Sequence, residues 1–142
     1  MEGGMMQFVY SDGGRAAAGF KGVASDCATR AIAIVLELPY REVYYSLNEI
    51  IEQQGMKGKY SAREGVLRVS FEKYLNMKGW RWIPTMGIGT GCRVHLREEE
   101  LPKGRLVVRC SKHITAVIDG VLYDTHDCSR GGNRCVYGYW QK

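Results

Sequence analysis

Asp119-Gly120 stands between two apolar runs, Ile114 to Ile118 and Val121 to Thr125, and this dipeptide constrains the fold more than any other feature of the sequence. A two-residue Asp-Gly loop between such runs predicts a tight hairpin. Counting outward from the turn fixes the register. Ile118 faces Val121, Val117 faces Leu122, Ala116 faces Tyr123, Thr115 faces Asp124 and His113 faces His126. Opposed residues share a face, as do residues two apart on one strand. His113, Thr115, Asp124 and His126 therefore lie on one side, with His113 and Asp124 as diagonal neighbours, while Asp127 falls on the other side.

The chain before the hairpin reads as helical. Ala28, Ala31, Ile32, Val35 and Leu36 recur at helical spacing, which predicts a helix from Cys27 to Leu38 closed by Pro39. Val43, Leu47, Ile50 and Ile51 form the stripe of a second helix stopping near Gly55. Ser61 with Glu64 has the spacing of a capping box, and Leu67, Phe71, Tyr74 and Leu75 form the apolar face of a third helix ending at Gly79. Strands are expected at Gln7 to Tyr10, Trp80 to Ile83, Arg105 to Cys110 and Cys135 to Trp140. Glu98-Glu99-Glu100 reads as a solvated short turn. Met86-Gly87-Ile88-Gly89-Thr90-Gly91 lacks the Lys-Ser/Thr ending of a phosphate loop and precedes no helix, so it reads as a mobile loop. Helices first and antiparallel strands after give an α+β class. At 142 residues the chain fits a single domain, which buries roughly two-thirds of the surface its unfolded chain exposes.

Chemistry points to the start of the first helix. Ser25 or Asp26 is the expected N-cap, which puts the Cys27 thiol among unpaired N–H groups at the positive end of the helix dipole, where the thiolate is favoured. An imidazole held by a carboxylate, as His113 and Asp124 are expected to be, is the base such a thiolate requires. Ser25-Asp26-Cys27-Ala28 opening a helix, together with Lys112-His113-Ile114-Thr115-Ala116-Val117-Ile118-Asp119-Gly120-Val121-Leu122-Tyr123-Asp124, resembles the core of the papain-like cysteine peptidase superfamily, especially its small bacterial and phage-associated members. The resemblance implies a papain-like arrangement with N-terminal helices packed on a C-terminal antiparallel sheet. In it Cys27 would be the nucleophile, His113 the base that later protonates the leaving group, and Asp124 the residue orienting His113. The backbone N–H of Cys27 would supply one oxyanion donor. Where the family usually places a glutamine about six residues before the cysteine, this chain has Lys21, the candidate second donor. No cofactor or metal is required by this chemistry, and the implied substrate is a protein or peptide.

Two other readings use the same residues. The scaffold would also serve as an inactive protein-binding module, with Trp80, Trp82, Tyr137, Tyr139 and Trp140 along its cleft. A metal site would use Cys110 with His113, or His126 with Cys128, completed by Cys135 or Cys92, although none has paired CxxC spacing. His95 reads as solvated, and Ser111, Lys112, the Gly87 to Gly91 loop and the Cys128 to Cys135 segment are possible borders of the site.

Charge and composition exclude other classes. Residues 57 to 81 hold seven lysines and arginines against Glu64 and Glu72, but without evenly spaced aromatics, so a solvated face is favoured over a nucleic-acid groove. The longest apolar run, Ala31 to Leu36, is too short to cross a bilayer. Met1 to Tyr10 lacks the pattern of an export signal, so a cytoplasmic address and five reduced thiols are the expectation.

Overall fold

The computed structural model describes residues 6–142. Three helices, α1 (Cys27–Leu36), α2 (Tyr40–Gln53) and α3 (Arg68–Met77), precede most of the strands. The strands are β1 (Gln7–Tyr10), β2 (Arg81–Pro84), β3 (Val94–His95), β4 (Arg105–Cys110), β5 (His113–Ile118), β6 (Val121–Asp124), β7 (Cys135–Val136) and β8 (Gly138–Gln141). Six of them form one sheet in the order β1-β6-β5-β4-β8-β2, and β3 pairs with β7 in a second, two-stranded sheet.

The predicted hairpin forms with the predicted register, Ala116 opposite Tyr123, Val117 opposite Leu122 and Ile118 opposite Val121. Asp119 and Gly120 both have positive φ, 50° and 80°, as the twist of the two strands demands. Strand alternation divides the apolar side chains between two layers. Val107, Ile114, Ala116 and Trp140 join the stripes of α1, α2 and α3. Leu106, Val108, Val117 and Leu122 instead pack with Leu96, Leu101, Cys128 and Val136, so connecting segments cover the second face.

The sheet is mixed rather than purely antiparallel, because β1 pairs parallel to β6. That direction follows from where the chain must go next. β6 ends at Asp124, and running beside it delivers the chain to the same end, where the Ser11 N–H donates to the Asp124 carbonyl at 2.8 Å. Gly13, at φ 72°, lies so close to α1 that a Cβ would come within 3.0 Å of the Arg30 carbonyl oxygen.

Three helix boundaries differ from expectation for local reasons. α1 stops at Leu36 because Glu37 adopts a left-handed conformation (φ 57°), and Leu38 N–H reaches back to the Ala33 carbonyl at 3.1 Å, a Schellman-type end. Pro39 therefore opens α2 instead of closing α1. Ser61 accepts from the Glu64 N–H at 3.0 Å, but Ser61 and Gly65 then exchange two backbone bonds and Gly65 takes φ 136°. The expected capping box is thus a closed turn, and α3 begins at Arg68. The last predicted strand divides at Tyr137, whose N–H donates to the Arg109 carbonyl. Cys92 and Cys135 form a disulfide, correcting the expectation of five reduced thiols, while Cys27, Cys110 and Cys128 are free.

Ile32 is fully buried in the middle of α1. Ile32→Ala is expected to cost about 2–5 kcal/mol, read as a lower urea midpoint at unchanged slope; a loss below about 1 kcal/mol would mean that α1 is not packed as described.

Candidate active site

Cys27 is the first residue of α1, His113 the first of β5 and Asp124 the last of β6, and the fold brings the three together. His113 Nε2 lies 2.8 Å from Asp124 Oδ2. The same oxygen accepts from the Thr115 hydroxyl at 2.7 Å, and Oδ1 accepts from the Thr125 N–H at 2.7 Å and from Arg30 Nη2 at 3.3 Å. Burial raises the Asp124 pKa, but the bonds from His113, Thr115 and Thr125 and the imidazolium charge outweigh it and hold the carboxyl well below its usual range. Burial likewise opposes charge on His113, and its bonds to Asp124, Cys128 and Cys27 overcome this and raise the imidazole to about 11.

For Cys27 burial again disfavours the charged form. The hydrogen bond and charge of His113, the Ile114 N–H and the Arg30 guanidinium prevail, so the thiol pKa lies below its ordinary value. Helix geometry supplies the last of these contributions, since Arg30 is three residues beyond Cys27 and four beyond Asp26. Asp26 is buried, and its carboxylate takes Arg30 at 2.5 Å and the Tyr40 hydroxyl at 2.5 Å, with Arg15 at 3.6 Å. Asp26 is the N-cap residue as expected, but its side chain makes no cap bond, so the first N–H groups of α1 are not spent on it.

Cys27 and His113 meet at an open cleft of about 230 Å³. Ser25, Cys27, Gly65 to Leu67, Arg68 and Phe71 line one side, and Arg109, Lys112 and Ile114 border His113 on the other. The Gly65 to Leu67 wall is fixed from below, where Ala62 accepts from Thr29 at 2.8 Å and donates to Asn48 at 2.8 Å.

Several residues that the sequence suggested for the site sit elsewhere. Lys21 is exposed and outside the cleft lining; its carbonyl accepts from Arg15 and Arg63. The Gly87 to Gly91 loop and Ser111 are also outside it, and so are the five aromatics assigned to a binding cleft, of which Trp80 and Trp140 are buried in the core. The segment from Cys128 onward is anchored, with Cys128, Ser129, Gly132 and Arg134 buried and Arg134 donating to the Ser111 carbonyl at 2.6 Å. Asp127 serves the same turn, accepting from the Ser129 N–H and hydroxyl. His95 is not free in solvent: Nδ1 lies 3.1 Å from Glu100 and Nε2 3.6 Å from Cys92 Sγ.

The metal combinations suggested by the sequence are not assembled, because Cys92 and Cys135 bind each other. His113, Asp124 and Cys128 do bring their ligand atoms within 4.8 Å of one another. The Arg30 guanidinium already occupies an Asp124 oxygen there, so a cation would enter beside a fixed positive charge. Of the basic stretch, Lys57 pairs with Glu52, Arg63 holds the Lys21 carbonyl, and Arg68 pairs with Glu72 and covers the Trp82 ring at 4.2 Å. No described helix is long and apolar enough to cross a membrane. Compared with family models, with curated proteins and with solved structures, the chain matches none.

The His113–Asp124 pair links stability to pH in two directions. The depressed Asp124 pKa contributes stability that is present above its ordinary 3.8 and lost as pH falls below it. The raised His113 pKa contributes stability that is complete below 6.5 and lost as pH rises toward about 11. The stability difference between wild type and His113→Gln is therefore expected to be largest from about pH 4 to 6.5 and to shrink on both sides. A difference that grows above pH 7 would contradict this pairing.

Proposed function

We propose that the chain is a cysteine-nucleophile hydrolase with a papain-like arrangement, cleaving an amide or isopeptide bond of a protein or peptide through a thioester intermediate. The observation that carries the reading is a helix-start thiol in one cleft with His113, whose Nε2 is held by Asp124 at 2.8 Å. In the first step Cys27 Sγ bonds to the carbonyl carbon and the C=O electron pair moves onto oxygen, which the Cys27 backbone N–H stabilises. The pair returns as the C–N bond breaks, and the His113 imidazolium gives its proton to the departing amine. Neutral His113 then takes a proton from water, whose oxygen attacks the thioester, and the acid leaves as Cys27 and His113 regain the ion pair. Asp124 keeps the imidazole oriented throughout, and Arg30 keeps Asp124 ionised without joining the chemistry.

Lys21 lies outside the cleft, so the second oxyanion donor assigned to it has to come from elsewhere. Ser25, two residues before Cys27, is a hydroxyl on the cleft wall and takes that role in this reading. The same gap favours the second reading, a papain-like binding module with no turnover. Cytoplasmic residence fits the three free thiols and stands against the Cys92–Cys135 disulfide.

Iodoacetamide labelling read at each cysteine by mass spectrometry tests the pair. Cys27 is expected to react near pH 6, well below the range of an ordinary thiol, and His113→Ala to abolish this selectivity. Cys110, whose pKa burial pushes up to about 12, should stay unlabelled. Against a peptide library, His113→Ala should lower hydrolysis by about 10² to 10⁴. Selective labelling with no hydrolysis of any peptide would favour the binding module, and no selectivity would overturn the hydrolase reading and leave the binding module standing.

A further inference from the structure

The cleft beside Cys27 is lined by three cationic side chains, Arg68, Arg109 and Lys112, and a single acid, Asp26. Their partners decide which of these charges a substrate meets. Asp26 is buried and satisfied by Arg30, Arg15 and Tyr40, so it presents no free negative charge. Arg68 is neutralised by Glu72. Arg109 has no ion-pair partner among the described residues; its guanidinium lies 5.7 Å from the Tyr137 ring centre, an arrangement that leaves the edge N–H donors open. Lys112 is exposed and has no carboxylate partner among the described residues either. The catalytic pair adds no net charge, because thiolate and imidazolium cancel.

Backbone conformation and place in the cleft together distinguish Lys112. It occupies the two-residue connection between β4 and β5, immediately before His113, with φ 55°, a conformation that glycine and asparagine adopt at far lower cost. Of the other non-glycine residues at positive φ, Glu37 pairs with Arg105 and Asp119 accepts from the Gly104 N–H, while Arg130 (φ 54°) is exposed and lies outside the cleft lining. Lys112 gains no such bond inside the protein, yet it holds a positive charge at the cleft edge one residue from the imidazole. Resting on the hydrolase reading, we propose that this cleft selects an acidic protein or peptide segment, one with a carboxylate beside the bond to be cleaved, and that Lys112 and Arg109 are the residues that recognise it.

Charge selection is measurable without knowing the substrate. Iodoacetate and iodoacetamide alkylate the same sulfur and differ in charge, so the ratio of their rate constants at Cys27, referred to the same ratio for glutathione, reports the local potential. The ratio should exceed the reference at low salt and fall as salt is added. Lys112→Asn, which suits the backbone, and Arg109→Gln should each lower it about threefold, the size of one partly exposed charge interaction. Lys103→Gln, on a distant exposed side chain, should leave it unchanged. Ratios unaltered by both cleft variants would overturn the proposal while leaving the nucleophile in place. Failure of Cys27 to react selectively with either reagent would overturn the hydrolase reading and this proposal with it. With acidic, neutral and basic peptides as substrates, faster cleavage of the acidic series, lost in Lys112→Asn, is the expected result, and equal cleavage of all three would also overturn it.

Discussion

A buried carboxylate with almost no exposure, Asp124, is where this fold is tied together. Its charge survives burial because His113, Thr115, Thr125 and Arg30 all donate to it. Those partners belong to β5, to the end of β6 and to α1, and the Asp124 carbonyl adds the chain leaving β1. Helix, edge strand and central hairpin therefore meet at one residue. A buried ion stripped of one partner costs about 3–5 kcal/mol, which is a large fraction of what a domain of this size has to spare.

Charges alternate through the site from Asp26 to Arg30 to Asp124 to His113 to Cys27. Each member is stabilised by its neighbour, and Arg30 is the only one that touches both carboxylates. This explains why a largely buried imidazole can stay protonated beside a thiol and why the thiol pKa lies below its ordinary value. Cys27 and His113 each sit at the first residue of a regular element, so their positions are set by a helix and a central strand rather than by loops. The mobile-looking parts of the sequence, the Gly87 to Gly91 loop above all, lie outside the cleft.

Much of this was legible in the residues because a two-residue turn has only one register. Asp119-Gly120 fixed the pairing, and parity alone chose Asp124 over Asp127 as the partner of His113. The helix-start cysteine was equally plain from the apolar period behind it. Arg30 and Asp26 were missed although the signal was present, an acid and an arginine four apart flanking the cysteine on one turn. Lys21 was misplaced because sequence separation before a helix says little about an irregular segment, where Arg15 and Arg63 capture its carbonyl instead. The Ser61 box failed because Gly65 closes a turn before a helix can propagate. The parallel pairing of β1, the Cys92–Cys135 link and the anchored Cys128 to Arg134 segment all depend on contacts distant in sequence, which periodicity cannot report.

The central claim is that Asp124 and Cys27 together hold the His113 imidazole protonated at neutral pH. The most direct test is the ring ¹⁵N NMR of His113, followed from acid to alkaline pH in wild type and in Cys27→Ala. The account predicts an imidazolium spectrum persisting well above pH 7 in the wild type, with its titration moving to lower pH when the thiolate is removed. A His113 ring that becomes neutral near pH 6.5 in both proteins, as a free histidine does, would contradict it.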